Sequence, residues 1–251
     1  MCGIPHYLVD ELDPSEDYNV VIFQKMAKAA MERIYANGHI PILVGGTGFY
    51  IQALLYDIDF STHDDKEDYR KQLREIERTK GKEYLHEMLE KVDPEYAQNV
   101  HANNAKRVIR ALEYYHETGK KLSEHNGEQM QKESPYDFRY FVLTDDRDIL
   151  YERINRRVDL MMEQGLLDEV SELVKEGYGR ELVSMQAIGY KEFFDYFEGT
   201  ATLDETVELI KRDSRRFAKR QLTWFRRERD VIWIDKSLFD SEDEILTKML
   251  S

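Results

Sequence analysis

The sequence holds a single cysteine, Cys2, in 251 residues. That excludes an internal disulfide and any zinc site built on cysteine pairs, and it fits a reducing, cytoplasmic setting. Prolines number only five, and no internal repeat or low-complexity stretch supplies a linker. The apolar runs reach about strand length, too short to cross a bilayer, so no membrane partner is expected. Residues 1–5 show neither the basic nor the apolar segment of a secretory signal. No His-Glu-x-x-His pattern occurs, the seven histidines are scattered, and no carboxylate spacing marks a catalytic pair. A hydrolase triad and a metal centre therefore have no visible basis, and no metal ligand is named.

What remains is 41% hydrophobic and 34% charged, the make-up of a soluble, helix-rich globular chain. The length suffices for one large domain, or for a core with an insertion. A formal net charge of −14 taken alone argues against a polyanionic partner. The average conceals an asymmetry: Lys211, Arg212, Arg215, Arg216, Lys219, Arg220, Arg226, Arg227 and Arg229 crowd into one stretch with only Asp213 and Glu228 for acids. Local charge, not the net value, decides what a surface attracts.

Residues 17–37 carry helical periodicity, closed by Gly38. Residues 39–44 form a short apolar run with β-branched members, consistent with a buried strand. The run enters Gly45-Gly46-Thr47-Gly48, and residues 49–55 read as helix, so strand, glycine turn and helix follow in the α/β order. Residues 61–134 are polar, charged and helical, with no strand signal, and read as an insertion. Residues 136–143 and 231–234 read as strands. Residues 147–162, 166–175, 191–197 and 203–227 read as helices, the first two separated by Gly165.

Three features carry chemistry. In Gly45-Gly46-Thr47, backbone N–H groups at a helix start favour an anion or polar edge, and Thr47 adds a hydroxyl; a tight turn with a capping threonine explains it equally well. Lys106-Arg107-Val108-Ile109-Arg110 opens a helix on which Arg107 and Arg110 share a face and suit phosphates or a base, or form a solvated face with Arg–Glu pairs. Arg212, Arg216, Lys219 and Arg220 recur at helical spacing and run into Gln221-Leu222-Thr223-Trp224-Phe225-Arg226, a stripe able to track a nucleic-acid backbone. Trp224 and Phe225 either stack a base or belong to the core.

Six ordered stretches resemble the tRNA dimethylallyltransferase family. They are Gly3-Ile4-Pro5-His6-Tyr7-Leu8-Val9-Asp10, Leu43-Val44-Gly45-Gly46-Thr47-Gly48-Phe49-Tyr50, Asn104 through Glu113, Arg157 through Val170, Gln186-Ala187-Ile188-Gly189-Tyr190-Lys191, and Ala218 through Arg226. The resemblance implies an α/β fold, a P-loop-type parallel sheet core at residues 1–62 and 135–251 with a mainly helical insertion at 63–134 that binds the anticodon arm. It implies transfer of a dimethylallyl group from dimethylallyl diphosphate, with Mg²⁺, to N6 of the adenine 3′ to a tRNA anticodon, the base leaving its stack to react. Carried over by residue, Thr47 lines the reaction channel, and Gln186 and Lys191 flank the substrate. Arg70, in an Asp-x-x-x-x-Arg stretch, touches tRNA with Lys106, Arg107, Arg110, Lys219, Arg220, Gln221, Thr223, Trp224 and Arg226. A cytoplasmic monomer with tRNA as partner is expected.

One departure from the family pattern stands out. No Gly-x-x-x-x-Gly-Lys-Ser/Thr loop and no Asp-Ser-x-Gln stretch occurs among these residues, so the diphosphate cradle and the general base are absent from them. The expectation is a shortened chain, lacking N-terminal strands and inactive as it stands. Two other readings are an adenylate isopentenyltransferase, which needs neither the insertion nor the basic helix, and a non-catalytic tRNA-binding fragment.

Overall fold

The structure, a computed structural model, describes residues 3–60 and 67–251. Met1, Cys2 and residues 61–66 lie outside the described residues, and with them the expected insertion start at 63 and Asp65 of the Asp-x-x-x-x-Arg stretch. The chain divides into two compact units, Met1–Leu54 with Asp137–Ser251, and Leu55–Tyr136.

The first unit opens with α1 (Val20–Ala36) and α2 (Gly48–Leu55). Asn19 caps α1 by accepting from the N–H groups of Val21 and Ile22, which satisfies donors the helix itself leaves orphaned. The helical unit holds α3 (Glu67–Val92), α4 (Pro94–Asn99), α5 (Ala105–Thr118) and α6 (Leu122–Met130). The first unit then resumes with β1 (Tyr140–Thr144), α7 (Arg147–Glu163), α8 (Leu166–Lys175), α9 (Phe193–Phe197), α10 (Leu203–Phe225), β2 (Val231–Asp235) and α11 (Glu242–Leu250).

β1 and β2 pair in parallel, from Tyr140↔Val231 to Thr144↔Asp235. Parallel strands cannot be joined by a hairpin, and here four helices intervene. Val158 of α7, Val170 of α8, Phe193 of α9 and Ile210 of α10 meet around Met185 as the core of this unit. Gly165, at φ +97°, turns the chain between α7 and α8, a conformation that costs a residue with a Cβ. α10 starts on a capping box: the Thr202 hydroxyl accepts from Glu205 N, and the Glu205 carboxylate accepts from Thr202 N.

Residues 39–44, expected as a buried strand, belong to no sheet among the described residues. Ile40, Ile42 and Val44 are 86%, 83% and 87% exposed. Apolar, β-branched composition yields a strand only beside a neighbour that offers hydrogen bonds and a surface to pack on, and β1 and β2 use each other. The expected strand at 136–143 forms later, at Tyr140–Thr144, and the helix expected from 191 starts at Phe193.

In the helical unit Leu73, Leu85 and Leu89 of α3 pack against Val108 and Leu112 of α5. α3 is broken at Gly81, whose φ of +89° and ψ of 169° leave the helical region. Asp93, 1% exposed, caps α4 at Tyr96 N and accepts from both the N–H and the hydroxyl of Ser123, so its buried carboxylate is satisfied. Residues 55–59 join this unit ahead of the expected position 63: Ser134 Oγ donates to Leu55 O, Lys132 Nζ to Asp57 O, and Asp59 N to Gln129 Oε1.

Candidate functional site

The Gly45–Thr47 turn is built against the end of α10. Gln221 Nε2 donates to Gly46 O at 2.8 Å. A Cβ on Gly46 would stand 2.0 Å from that same Nε2, and one on Gly48 would stand 2.1 Å from Trp224 Cδ1. Neither glycine has a positive φ, so close approach, not backbone freedom, demands glycine at both. Phe49 meets the Trp224 ring edge-on, with centroids 6.2 Å apart. Gly45 faces open space: nothing lies within 4 Å of the position its Cβ would take.

Thr47 is exposed. Its carbonyl accepts from Tyr50 N and Ile51 N and so begins α2. Its hydroxyl caps nothing among the described residues.

Helix periodicity sorts the end of α10 into two faces. Gln221, Trp224 and Phe225 turn inward, Phe225 buried edge-on against Tyr140 of β1. Lys219, Arg220, Thr223, Arg226 and Arg227 are exposed. The Arg220 guanidinium lies over the Phe217 ring, and Thr223 Oγ1 donates back to Lys219 O. Trp224 Nε1 and Glu228 Oε2 are buried without a well-formed hydrogen bond. Burial pushes the Glu228 carboxyl above its ordinary pKa, against the opposing pull of the Trp224 N–H and of Arg229. Gln221 and Trp224, expected at an RNA surface, thus direct their polar atoms into the protein.

In the helical unit, Lys106, Arg107 and Arg110 lie exposed along the first turns of α5. Its N-cap residue, Asn104, makes no side-chain cap bond, and no acid occupies the first turn. Cations at the positive end of a helix dipole are unfavourable on their own and suit a site that an anion completes. Arg70 instead grips Glu113, with Nε to Oε1 at 2.6 Å and Nη2 to Oε2 at 3.1 Å. Glu113 is buried and Arg70 partly exposed. This bidentate pair ties α3 to α5.

Gln186 and Lys191 sit on the loop between α8 and α9, and each has a partner nearby. Gln186 Nε2 donates to Arg180 O, and Lys191 Nζ lies 3.7 Å from Glu192 Oε1. Glu192, not anticipated from the sequence, is 4% exposed, and its Oε2 accepts from Gly189 N at 2.8 Å. A glycine followed three residues later by glutamate is the sequence trace of that contact. Gln186 also borders a cleft of about 850 Å³. Asp10, Glu11, Asp13, Glu16, Glu169, Glu172 and Glu176 line this cleft with no cation among its walls, so it repels a diphosphate or an RNA backbone. Beside it burial, with the hydrogen bond to Glu169, pushes Tyr190 up to about 12.

The family model described as IPP transferase matches residues 1–228. A tRNA dimethylallyltransferase of Lachnoclostridium phytofermentans is 55% identical over 250 residues, covering 100% of this chain and 80% of the relative. One of Bacillus cereus is 50% identical, covering 98% and 77%. Among solved structures, the full-length tRNA isopentenylpyrophosphate transferase of Bacillus halodurans superposes with a TM-score of 0.70 at 43% identity, covering 100% of this chain and 78% of that one. A eukaryotic dimethylallyltransferase acting on tRNA superposes at 0.78 with 30% identity, covering 98% and 64%. Both the mixed fold and the largely helical unit are those of these enzymes.

Proposed function

This chain belongs to the IPP transferase family, and on that premise we propose that it transfers a dimethylallyl group from dimethylallyl diphosphate to N6 of the adenine 3′ to a tRNA anticodon. In the reaction the bond from C1 of the allyl group to the diphosphate oxygen breaks, a C1–N6 bond forms, and N6 gives up a proton. The observation that carries the reading is the junction of a bare Gly45–Thr47 turn with the cationic end of α10. The turn leaves a free hydroxyl and open backbone for reacting groups. The helix end offers Lys219, Arg220 and Arg226 to phosphates on its outward face. Lys106, Arg107 and Arg110 form a second phosphate surface on the helical unit, which binds the anticodon arm.

Each remaining side chain has a bounded role. Thr47 lines the channel. Lys191 and Gln186 flank the substrate on their own loop, on the side away from the acidic cleft, which repels a diphosphate. No base is assigned within these residues. Among the described residues no cluster of three or more His, Cys, Asp or Glu could hold a metal. No residue is named as a ligand of the Mg²⁺ that the family implies, and no step rests on it. Among the described residues no helix is long and apolar enough to cross a membrane. A cytoplasmic monomer is part of the same proposal.

The test is modified adenosine detected by mass after incubation with dimethylallyl diphosphate, Mg²⁺ and unmodified tRNA, with AMP as the competing acceptor. It is run on the 251-residue chain, where turnover should be slow, since the phosphate loop and general base of the family pattern do not occur among these residues and losing one electrostatic donor alone costs roughly 3 kcal/mol. Thr47→Ala should lower kcat further, and more than it weakens tRNA binding. Modification of AMP and not tRNA overturns the reading.

A further inference from the structure

Gln221 faces away from the cations that flank it and spends its amide donor on a backbone carbonyl 175 residues distant in sequence. Four observations converge on that contact. The Nε2 to Gly46 O distance is 2.8 Å. The three atoms nearest a Cβ built on Gly46 all belong to Gln221. Gly46 has no positive φ, so Gln221 is what forbids a side chain there. One helical turn on, Trp224 seals Gly48 in the same way. The turn is thus held at two points by one face of α10, while the opposite face carries Lys219, Arg220 and Arg226 in solvent.

We propose that Gln221 is a positioning residue that locks the Gly45–Thr47 turn to the cationic face of α10, so that an RNA backbone seated on that face and the Thr47 hydroxyl are placed as one rigid piece. The proposal rests on the tRNA reading above, and it gives Gln221 a role distinct from contacting RNA. A helix holds its shape over a turn or two, and Arg220 and the C-cap residue Arg226 lie less than two turns apart. Phosphate contacts made at Arg220 and Arg226 therefore fix the position of Gln221 between them. The amide in turn fixes the carbonyl of the residue before Thr47. Without this bond the turn keeps its sequence and its exposure, but its geometry no longer depends on where the RNA sits.

Amide hydrogen exchange on the 251-residue chain tests this, free and with saturating unmodified anticodon stem-loop RNA. In the free protein Gln221→Met, which keeps length and removes the donor, should speed exchange across 47–51 by about fivefold. Gly46→Ala should speed it further. Gly46→Ala combined with Gln221→Ala should fall back to the level of Gln221→Ala alone, since the clash is with Gln221. RNA should slow exchange at 47–51 in the parent and not in Gln221→Met, a coupling that a packing role would not produce. Gln221→Glu adds a pH signature: ionised, it opposes Gly46 O, and once protonated it donates to it. Corrected for intrinsic rates, its exchange should return towards the parent as pH falls. If the parent binds no RNA, the tRNA reading fails, while the free-protein comparison still decides on Gln221. Parent-like exchange in Gln221→Met, or equal RNA protection in both, overturns the positioning role.

Discussion

Along α10 and just past its end, the cations at 211–216 and those at 219–227 look alike in sequence and differ in space. Lys211 binds Asp159 at 2.7 Å and Glu208 at 3.0 Å. Arg212 and Arg216 share Asp213, and Arg215 donates to Asn155 Oδ1. Farther on, Lys219, Arg220, Arg226 and Arg227 make no ion pair among the described residues. The first group links α10 to α7, and Asp159, Glu208 and Asp213 offset most of its charge, while Arg215 meets a neutral partner. The second leaves positive charge in solvent beside the Gly45–Thr47 turn. Counting charges along a helix thus overstates the surface that an RNA meets, and spatial pairing corrects the count.

The strongest way to break this comparison is at Trp224. If it is packing and not an RNA platform, Trp224→Ala should cost about 2–3 kcal/mol of stability, below the full figure for a buried tryptophan because the side chain is half-buried. The salt dependence of tRNA binding should stay as it was. A stable Trp224→Ala that loses affinity would restore the stacking reading. Next, Arg220→Gln with Arg226→Gln should weaken binding to all tRNAs alike and make the log–log salt slope shallower by about two units. An unchanged slope with the fold intact would remove the unpaired half of the helix as a phosphate surface.

Lys211→Met supplies the contrast. It should leave the salt slope alone and lower stability by no more than about 1 kcal/mol, since both acids that Lys211 meets stand open to water. A slope change there would mean that the paired cations also meet RNA. The smallest effect is at Glu228. Burial raises its folded carboxyl above the unfolded value, so the folded state holds the proton more tightly. Its contribution is fully present below the ordinary carboxylate range and is lost as pH rises through the raised value. Melting curves of Glu228→Gln across that range should show a shallower decline with pH than the parent; parallel curves would disprove the burial effect.

Elements with a strong internal period and a local stop were legible. Residues 17–37 gave α1, and Gly165 divides α7 from α8 where the spacing predicted. α11 went unread although Ser241, three residues before Glu244, has the form of a capping box, and Ser241 does cap the helix at Glu244 N. Residues 39–44 misled because apolarity is local and strand pairing is not. Among candidate residues, the exposure of Thr47 and of the α5 cations agrees with what the family motifs imply, whereas the inward turn of Gln221 and Trp224 could not be read from them. Helix periodicity fixes which positions share a face, but which face turns inward depends on what the helix packs on.

The sequence by itself determined the family, the ordered motifs, most helix boundaries and the basic stretch, because each is written in neighbouring residues whose effects reach no farther than a few positions. Only the tertiary structure decided which cations are cancelled, that Arg70 is held by Glu113, and that Gly46 and Gly48 are glycines on account of Gln221 and Trp224. Those outcomes depend on atoms from segments far apart in the chain coming within a few ångströms, where Coulomb attraction and steric exclusion act and sequence distance has no meaning.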